Sequence, residues 1–174
     1  MFPIQTLNYE IVPFIESHLV FANPLWIEAY YPDLWEDDAG VLARMKLFPE
    51  GCLSLFVDGV YAGWMFCHPW RGQKAPLILS PDGAEELLSP IYDYSDCFYI
   101  HDTLVAKQYR GMGLGTALAQ KALSLADHSG FESTYLISVH GSDTFWTRHG
   151  FMEVERFSYG PMGVPAKLMV RECR

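Results

Sequence analysis

The run Cys97-Phe98-Tyr99-Ile100-His101-Asp102-Thr103-Leu104-Val105, continued by Ala106-Lys107-Gln108-Tyr109-Arg110-Gly111-Met112-Gly113-Leu114-Gly115-Thr116, decides the architecture. Its first half is rich in aromatic and β-branched residues and predicts a strand. Its second half is a turn with glycine at alternate positions. Leu114, Leu118, Ala122 and Leu125 then fall on one face of a helix running to Ala126. Strand, glycine turn and helix in this order form a cradle for phosphate. Glycine permits positive φ and leaves backbone N–H groups uncovered. The helix start adds unpaired N–H groups and the positive end of its dipole. Arg110 contributes a charge-assisted donor.

Two other phosphate-binding turns are excluded by residue identity. The dinucleotide fingerprint G-x-G-x-x-G needs a third glycine where Thr116 stands, and an acidic residue ending the next strand, where Val139 and His140 stand. The P-loop needs Gly-Lys-Ser/Thr, which is absent.

Outward from this segment, the chain mixes both periods. Phe2 to Glu10 alternates as a first strand. Ile11 to Ala22 carries Ile11, Phe14, Ile15 and Leu19 at helical spacing, and Asn23-Pro24 is expected to interrupt it. Asp37 and Asp38 open a second short helix with Val41, Leu42 and Met45 inward, acidic residues being favourable in a first turn. Asp58-Gly59 between two apolar runs predicts a hairpin joining Cys52–Val57 to Val60–His68. Pro69 to Pro90 reads as a long connection with one helical piece at Gly83 to Leu88. Ser133–Val139 is a strand, Ser142–His149 a short helix, and Phe151–Tyr159 and Lys167–Arg171 are closing strands. This order predicts one α/β domain over residues 1–174.

Composition narrows the function classes. A formal charge of −9 without a basic run argues against a nucleic-acid partner. No apolar stretch reaches the roughly 20 residues of a membrane helix. Cys52, Cys67, Cys97 and Cys173 form no C-x-x-C pair, and the histidines lack zinc-ligand spacing, so no metal site is expected. Free thiols and an N-terminus without a signal core predict a cytoplasmic protein.

With Leu104-Val105, Arg110-Gly111-Met112-Gly113-Leu114-Gly115 and Leu118 in place, the turn resembles the R-x-x-G-x-G/A signature of the GNAT N-acetyltransferases. Phe145-Trp146-Thr147-Arg148-His149-Gly150-Phe151 is similar to the family's later F-Y-x-x-x-G-F segment. The resemblance implies a mixed, mostly antiparallel sheet of about six to seven strands with helices on both faces. It also implies an acetyl-CoA-dependent enzyme moving acetyl to a primary amine of a small molecule or peptide. Leu104 and Val105 would then meet the pantetheine arm and the acetyl oxygen. Gly111, Met112, Gly113, Leu114, Gly115 and Thr116 would line the pyrophosphate, and Ser142 and Trp146 would flank the arm. A homodimer is compatible with the family.

The chemistry needs a base for the amine, and relatives place a carboxylate or imidazole in this strand. His101 is the first candidate, its type titrating near neutrality, and Asp102 the second. Strand alternation puts Tyr99, His101 and Thr103 on one face and Asp102 on the other unless a bulge intervenes. A strand histidine held by a local hydrogen bond is the structural alternative. Trp146 replaces the tyrosine that often protonates the departing thiolate, and an indole N–H is no useful acid. Tyr159, water, or departure as thiolate remain open. The aromatic and acidic stretch Trp26 to Asp38 would suit a cationic amine. A catalytically silent acyl-CoA-binding module on the same fold is the competing expectation.

Overall fold

The computed structural model describes residues 7–30, 32–34, 36–71 and 95–174. Its strands are Tyr9–Pro13 (β1), Cys52–Val57 (β2), Val60–Trp70 (β3), Cys97–Val105 (β4), Ser133–Ser138 (β5), Met152–Tyr159 (β6) and Val164–Glu172 (β7). They form one seven-stranded sheet in the order β1-β2-β3-β4-β5-β7-β6. Every neighbouring pair is antiparallel except β4 and β5, which run parallel. The helices are Leu19–Ala29 (α1), Asp38–Leu47 (α2), Leu114–His128 (α3) and Asp143–Arg148 (α4).

Both faces of the sheet are covered, so β3 is buried along nearly its whole length. Under α3 and α4 lie Met65, Cys67, Phe98, Ile100, Leu118, Trp146 and Phe151. Under α1 and α2 lie Phe14, Trp26, Val41, Trp64, Phe66 and Leu104. The hairpin at Asp58-Gly59 forms as its sequence predicts, with φ of 49° and 77° at the two turn residues.

The N-terminal elements are displaced from their expected places. Ile11 to Pro13 complete β1, which pairs with β2 from Tyr9↔Val57 to Pro13↔Leu53. The helix starts later, at Leu19, and continues through Pro24 to Ala29 instead of stopping there. An interior proline costs roughly 3 kcal/mol. Burying large apolar side chains stabilises by about 1.5–3 kcal/mol each, so Leu19 and Trp26, both buried against the sheet, offset it. The expected helix at Gly83 to Leu88 lies outside the described residues, as do Tyr31, Trp35 and Asp93.

Candidate active site

The site begins where two parallel strands part. β4 and β5 pair at Phe98↔Thr134, Tyr99↔Tyr135 and Ile100↔Leu136, and their pairing ends there. β4 continues to Val105. Between the diverging ends lies a cavity of about 580 Å³, with Leu104, Val105, Arg110 and Gly115 in its wall. Ser142, Trp146, His101 and Asp102 line it as well.

The glycine turn reaches the cavity through Arg110 and Gly115. Gly111 and Gly113 have φ of 78° and 83°, and a Cβ at either would meet nothing within 4 Å. Their requirement is conformational and not one of space, because L side chains are strained in the left-handed region. Gly113 is the N-cap of α3. Ala117 N–H closes onto Gly113 O at 3.1 Å. The amides of Leu114, Gly115 and Thr116 therefore precede the first N–H that has an intrahelical acceptor, that of Ala117. The Leu114 side chain is buried in the core, so only its backbone is available to a ligand. Met112 is exposed and Thr116 is half-buried, and of the turn only Arg110 and Gly115 line the cavity. Arg110 Nε donates to Val105 O at 2.9 Å, which ties the turn to the end of β4.

On the far wall, Ser142 is the N-cap residue of α4, and its Oγ lies 2.9 Å from Ser138 Oγ. Trp146 is a core residue whose inner surface reaches the cavity, with its ring edge-on to Phe151 at 5.5 Å. Tyr159 also lines the cavity, and burial, then the Glu36 charge, push its hydroxyl up to about 12.

A bulge fixes the candidate bases. Phe66 faces Asp102 and Cys67 faces Ile100, so His101 is an extra residue in β4. The inserted residue resets the alternation. Asp102 joins His101 on the α1–α2 side, while Thr103 turns to Met65 Sδ at 2.8 Å in the opposite core. The unbulged alternation, with Thr103 beside His101, does not occur.

His101 sits in a buried ionic cluster. Arg44 grips both oxygens of Glu36, and His101 Nε2 lies 2.7 Å from Glu36 Oε1 and 2.8 Å from Arg44 Nη2. The side chains of Arg44, Glu36 and His101 are 1%, 4% and 8% exposed, so this is an interior arrangement and not a solvated pair. Burial opposes ionisation of Glu36, but Arg44 and His101 together hold its carboxyl well below the usual range. A lone pair on Nε2 facing that carboxylate would be repelled, so Nε2 carries the proton and donates to Glu36. Nδ1 is buried and without a hydrogen-bond partner. The neighbouring His68 is wholly buried, with its ring 5.9 Å from that of His101. Its Nδ1 donates to Pro69 O at 2.8 Å, and burial, then His101, bring it down to about 3.

Asp102 is held differently. It accepts from Tyr30 Oη at 2.6 Å and from Trp64 Nε1 at 2.7 Å. Burial raises its carboxyl, and the two hydrogen bonds oppose that rise. Tyr30 is pushed well above its ordinary value by burial and then by Asp102.

Arg44 and His68 are absent from the sequence reading of the site, and Glu36 enters it only as part of the acidic stretch Trp26 to Asp38. Arg44 had a signal: it falls three residues after Val41 and three before Leu47, on the buried stripe of α2. A cation there requires a buried anion. His68 had none, since the rings of Tyr99 and His101 beside it come from another strand, and nothing marks Glu36 out within the stretch Trp26 to Asp38.

The model of the acetyltransferase (GNAT) family matches residues 14–151. The chain belongs to that family. No curated protein matches it significantly in sequence. Among solved structures, Ard1 from Thermoplasma volcanium superposes with a TM-score of 0.74 at 19% identity, covering 95% of this chain and 98% of that one. Naa20 of Chaetomium thermophilum, in complex with a bisubstrate analogue, gives 0.71 at 15% identity over 94% and 86% of the two chains. GphF, a GNAT-like decarboxylase in complex with isobutyryl-CoA, gives 0.76 at 19% identity over 95% and 100%. At these identities the likeness establishes a GNAT fold. That fold brings Arg110 and Gly115 of the glycine turn and His101 of the bulged strand into the wall of one cavity.

Proposed function

We propose that this chain is an N-acetyltransferase that moves acetyl from acetyl-CoA directly to a primary amine of a small molecule or peptide. The observation that carries this reading is the cavity opened by the parting of β4 and β5, with a phosphate-type turn at one side and His101 and Asp102 in its wall. The uncovered amides from Gly111 to Thr116, with Arg110, fit a pyrophosphate. Leu104, Val105, Ser142 and Trp146 fit an extended arm reaching into the cavity.

When bound, acetyl-CoA supplies the thioester carbonyl. The chain's residues do the remainder. His101, in the cavity wall, takes the proton from the amine as its nitrogen bonds to the acetyl carbon, and Glu36 beside Nε2 stabilises the imidazolium. Backbone groups at Leu104 and Val105 orient the carbonyl oxygen. As the carbon–sulfur bond breaks, the thiolate leaves as such or takes a proton from Tyr159 or water. Trp146, packed in the core, supplies none. No metal is invoked. The cysteines form no disulfide among the described residues, which supports a reducing, cytoplasmic setting.

A second reading is a catalytically silent acyl-CoA-binding module, favoured by Trp146 at the tyrosine position. Isothermal titration of acetyl-CoA, free CoA and desulfo-CoA, followed by thiol release with an amine panel, separates them. Binding with thiol release supports the enzyme, and binding without release from any amine supports the module. Absence of binding overturns both.

A further inference from the structure

The two carboxylates in the cavity wall are compensated in opposite ways. Glu36 is neutralised by Arg44 and donated to by His101. Asp102 is held by two neutral donors, Tyr30 Oη at 2.6 Å and Trp64 Nε1 at 2.7 Å, and no ion pair reaches it among the described residues. Buried carboxylates are ordinarily paired with a cation. Trp64 Nε1 can only donate, so the oxygen facing it stays an acceptor. His101, its neighbour in β4, has its Nε2–H turned to Glu36.

Beyond that cluster the described wall carries a single permanent cation. Arg110 is the only lysine or arginine in the described wall, and its Nε is bonded to Val105 O at the glycine turn. Trp26, Tyr30, Tyr99 and Tyr159 give the same cavity aromatic surface.

Building on the acetyltransferase reading, we infer that the acceptor subsite takes a primary ammonium, paired with Asp102, whose carbon bears no free carboxylate. The substrate class is an arylalkylamine, or an α-amine whose carboxyl is locked in an amide, and not a free amino acid. The ammonium provides the missing counter-charge of Asp102, and aromatic walls favour a cation and an aryl group. A free α-carboxylate would enter beside Asp102 with no cation to receive it. The ammonium then passes its proton on before attack, His101 being the adjacent base.

The test is calorimetric titration of phenethylamine, phenylalaninamide and phenylalanine into the full-length protein, without cofactor. Phenethylamine and phenylalaninamide should bind at least about tenfold more tightly than phenylalanine, the usual consequence of leaving a buried charge unpaired. Tighter binding of phenethylamine than of phenylalaninamide would assign a small arylalkylamine, and the reverse a peptide-type α-amine. Asp102→Asn retains an acceptor for Trp64 and should remove the preference, whereas Tyr30→Phe, which keeps the carboxylate, should retain it. Equal or tighter binding of phenylalanine, binding of none of the three, or a preference that survives Asp102→Asn overturns the inference. If Asp102→Asn does not fold, the wild-type order together with Tyr30→Phe decides. Acetyl-CoA is titrated separately, so loss of the acetyltransferase reading is recognised independently of the amine order.

Discussion

Glu36 Oε1 and His101 Nε2 lie 2.7 Å apart although 65 positions separate them in the chain. The contact joins the segment before α2 to the bulge of β4, so the strand that carries the candidate base is positioned by a carboxylate from another element. Arg44 completes the arrangement from inside α2. The cluster therefore ties stability and chemistry together, and the two can be measured separately.

Glu36→Gln leaves Arg44 buried without its anion. Breaking one partner of a buried pair costs about 3–5 kcal/mol, so the urea midpoint should fall with an unchanged slope. The wild type should also lose stability in acid. Below the ordinary glutamate value of 4.5, an unfolded Glu36 takes up a proton that the folded one refuses. The stabilisation is complete above 4.5 and fades as pH falls toward the depressed folded value. Urea melts from pH 7 downward should show this steepening, and Glu36→Gln should reduce it.

His68 acts over a higher window. Its unfolded imidazole is protonated below 6.5, whereas the folded ring stays neutral until about 3. The unfolded state thus binds the extra proton, and stability declines as pH drops from 6.5 toward 3. One proton corresponds to at most about 1.4 kcal/mol per pH unit. His68→Gln should flatten the stability–pH curve between 6.5 and 4.5 relative to the wild type. An unchanged slope would mean that His68 is protonated in the fold.

Gly113→Ala and Gly115→Ala should part company. Gly113 has φ of 83°, and an L side chain there costs about 1–2 kcal/mol. Gly115 is helical, and a Cβ would meet the Phe145 ring at an ordinary 3.5 Å. Ala at Gly115 should leave stability unchanged or raise it by up to about 1 kcal/mol. Because Gly115 lines the cavity, the same methyl should still weaken acetyl-CoA binding. Thermal melts read the first effect and calorimetry the second.

His101→Gln should lower turnover by about 10²–10⁴-fold, the range of a lost general base. Its acetyl-CoA dissociation constant should change little, since the glycine turn is untouched. Turnover that persists would pass the role of base to Asp102, and Asp102→Asn would then produce the loss.

What the chain states locally it states well. The Asp58-Gly59 hairpin, the strand Cys97–Val105 and the glycine turn into α3 depend on φ preferences and periodicity within a few residues, and each is formed. The N-terminal helix lies later than its spacing predicts because its limits depend on partners. Ile11 to Pro13 have β2 to pair with, and Pro24 is tolerated because Trp26 and Leu19 are buried.

The sequence by itself determined the class of fold and the glycine turn into α3, because glycine's conformational freedom and a helix N-terminus are properties of contiguous residues. Only the tertiary structure decided the other half of the cavity. One extra residue in β4 turns Asp102 to the side of His101, and it exists only in the register between β3 and β4. Glu36, Arg44 and His101 become a unit only when α2 lies against the sheet, because a buried charge finds its partner in space and not along the chain.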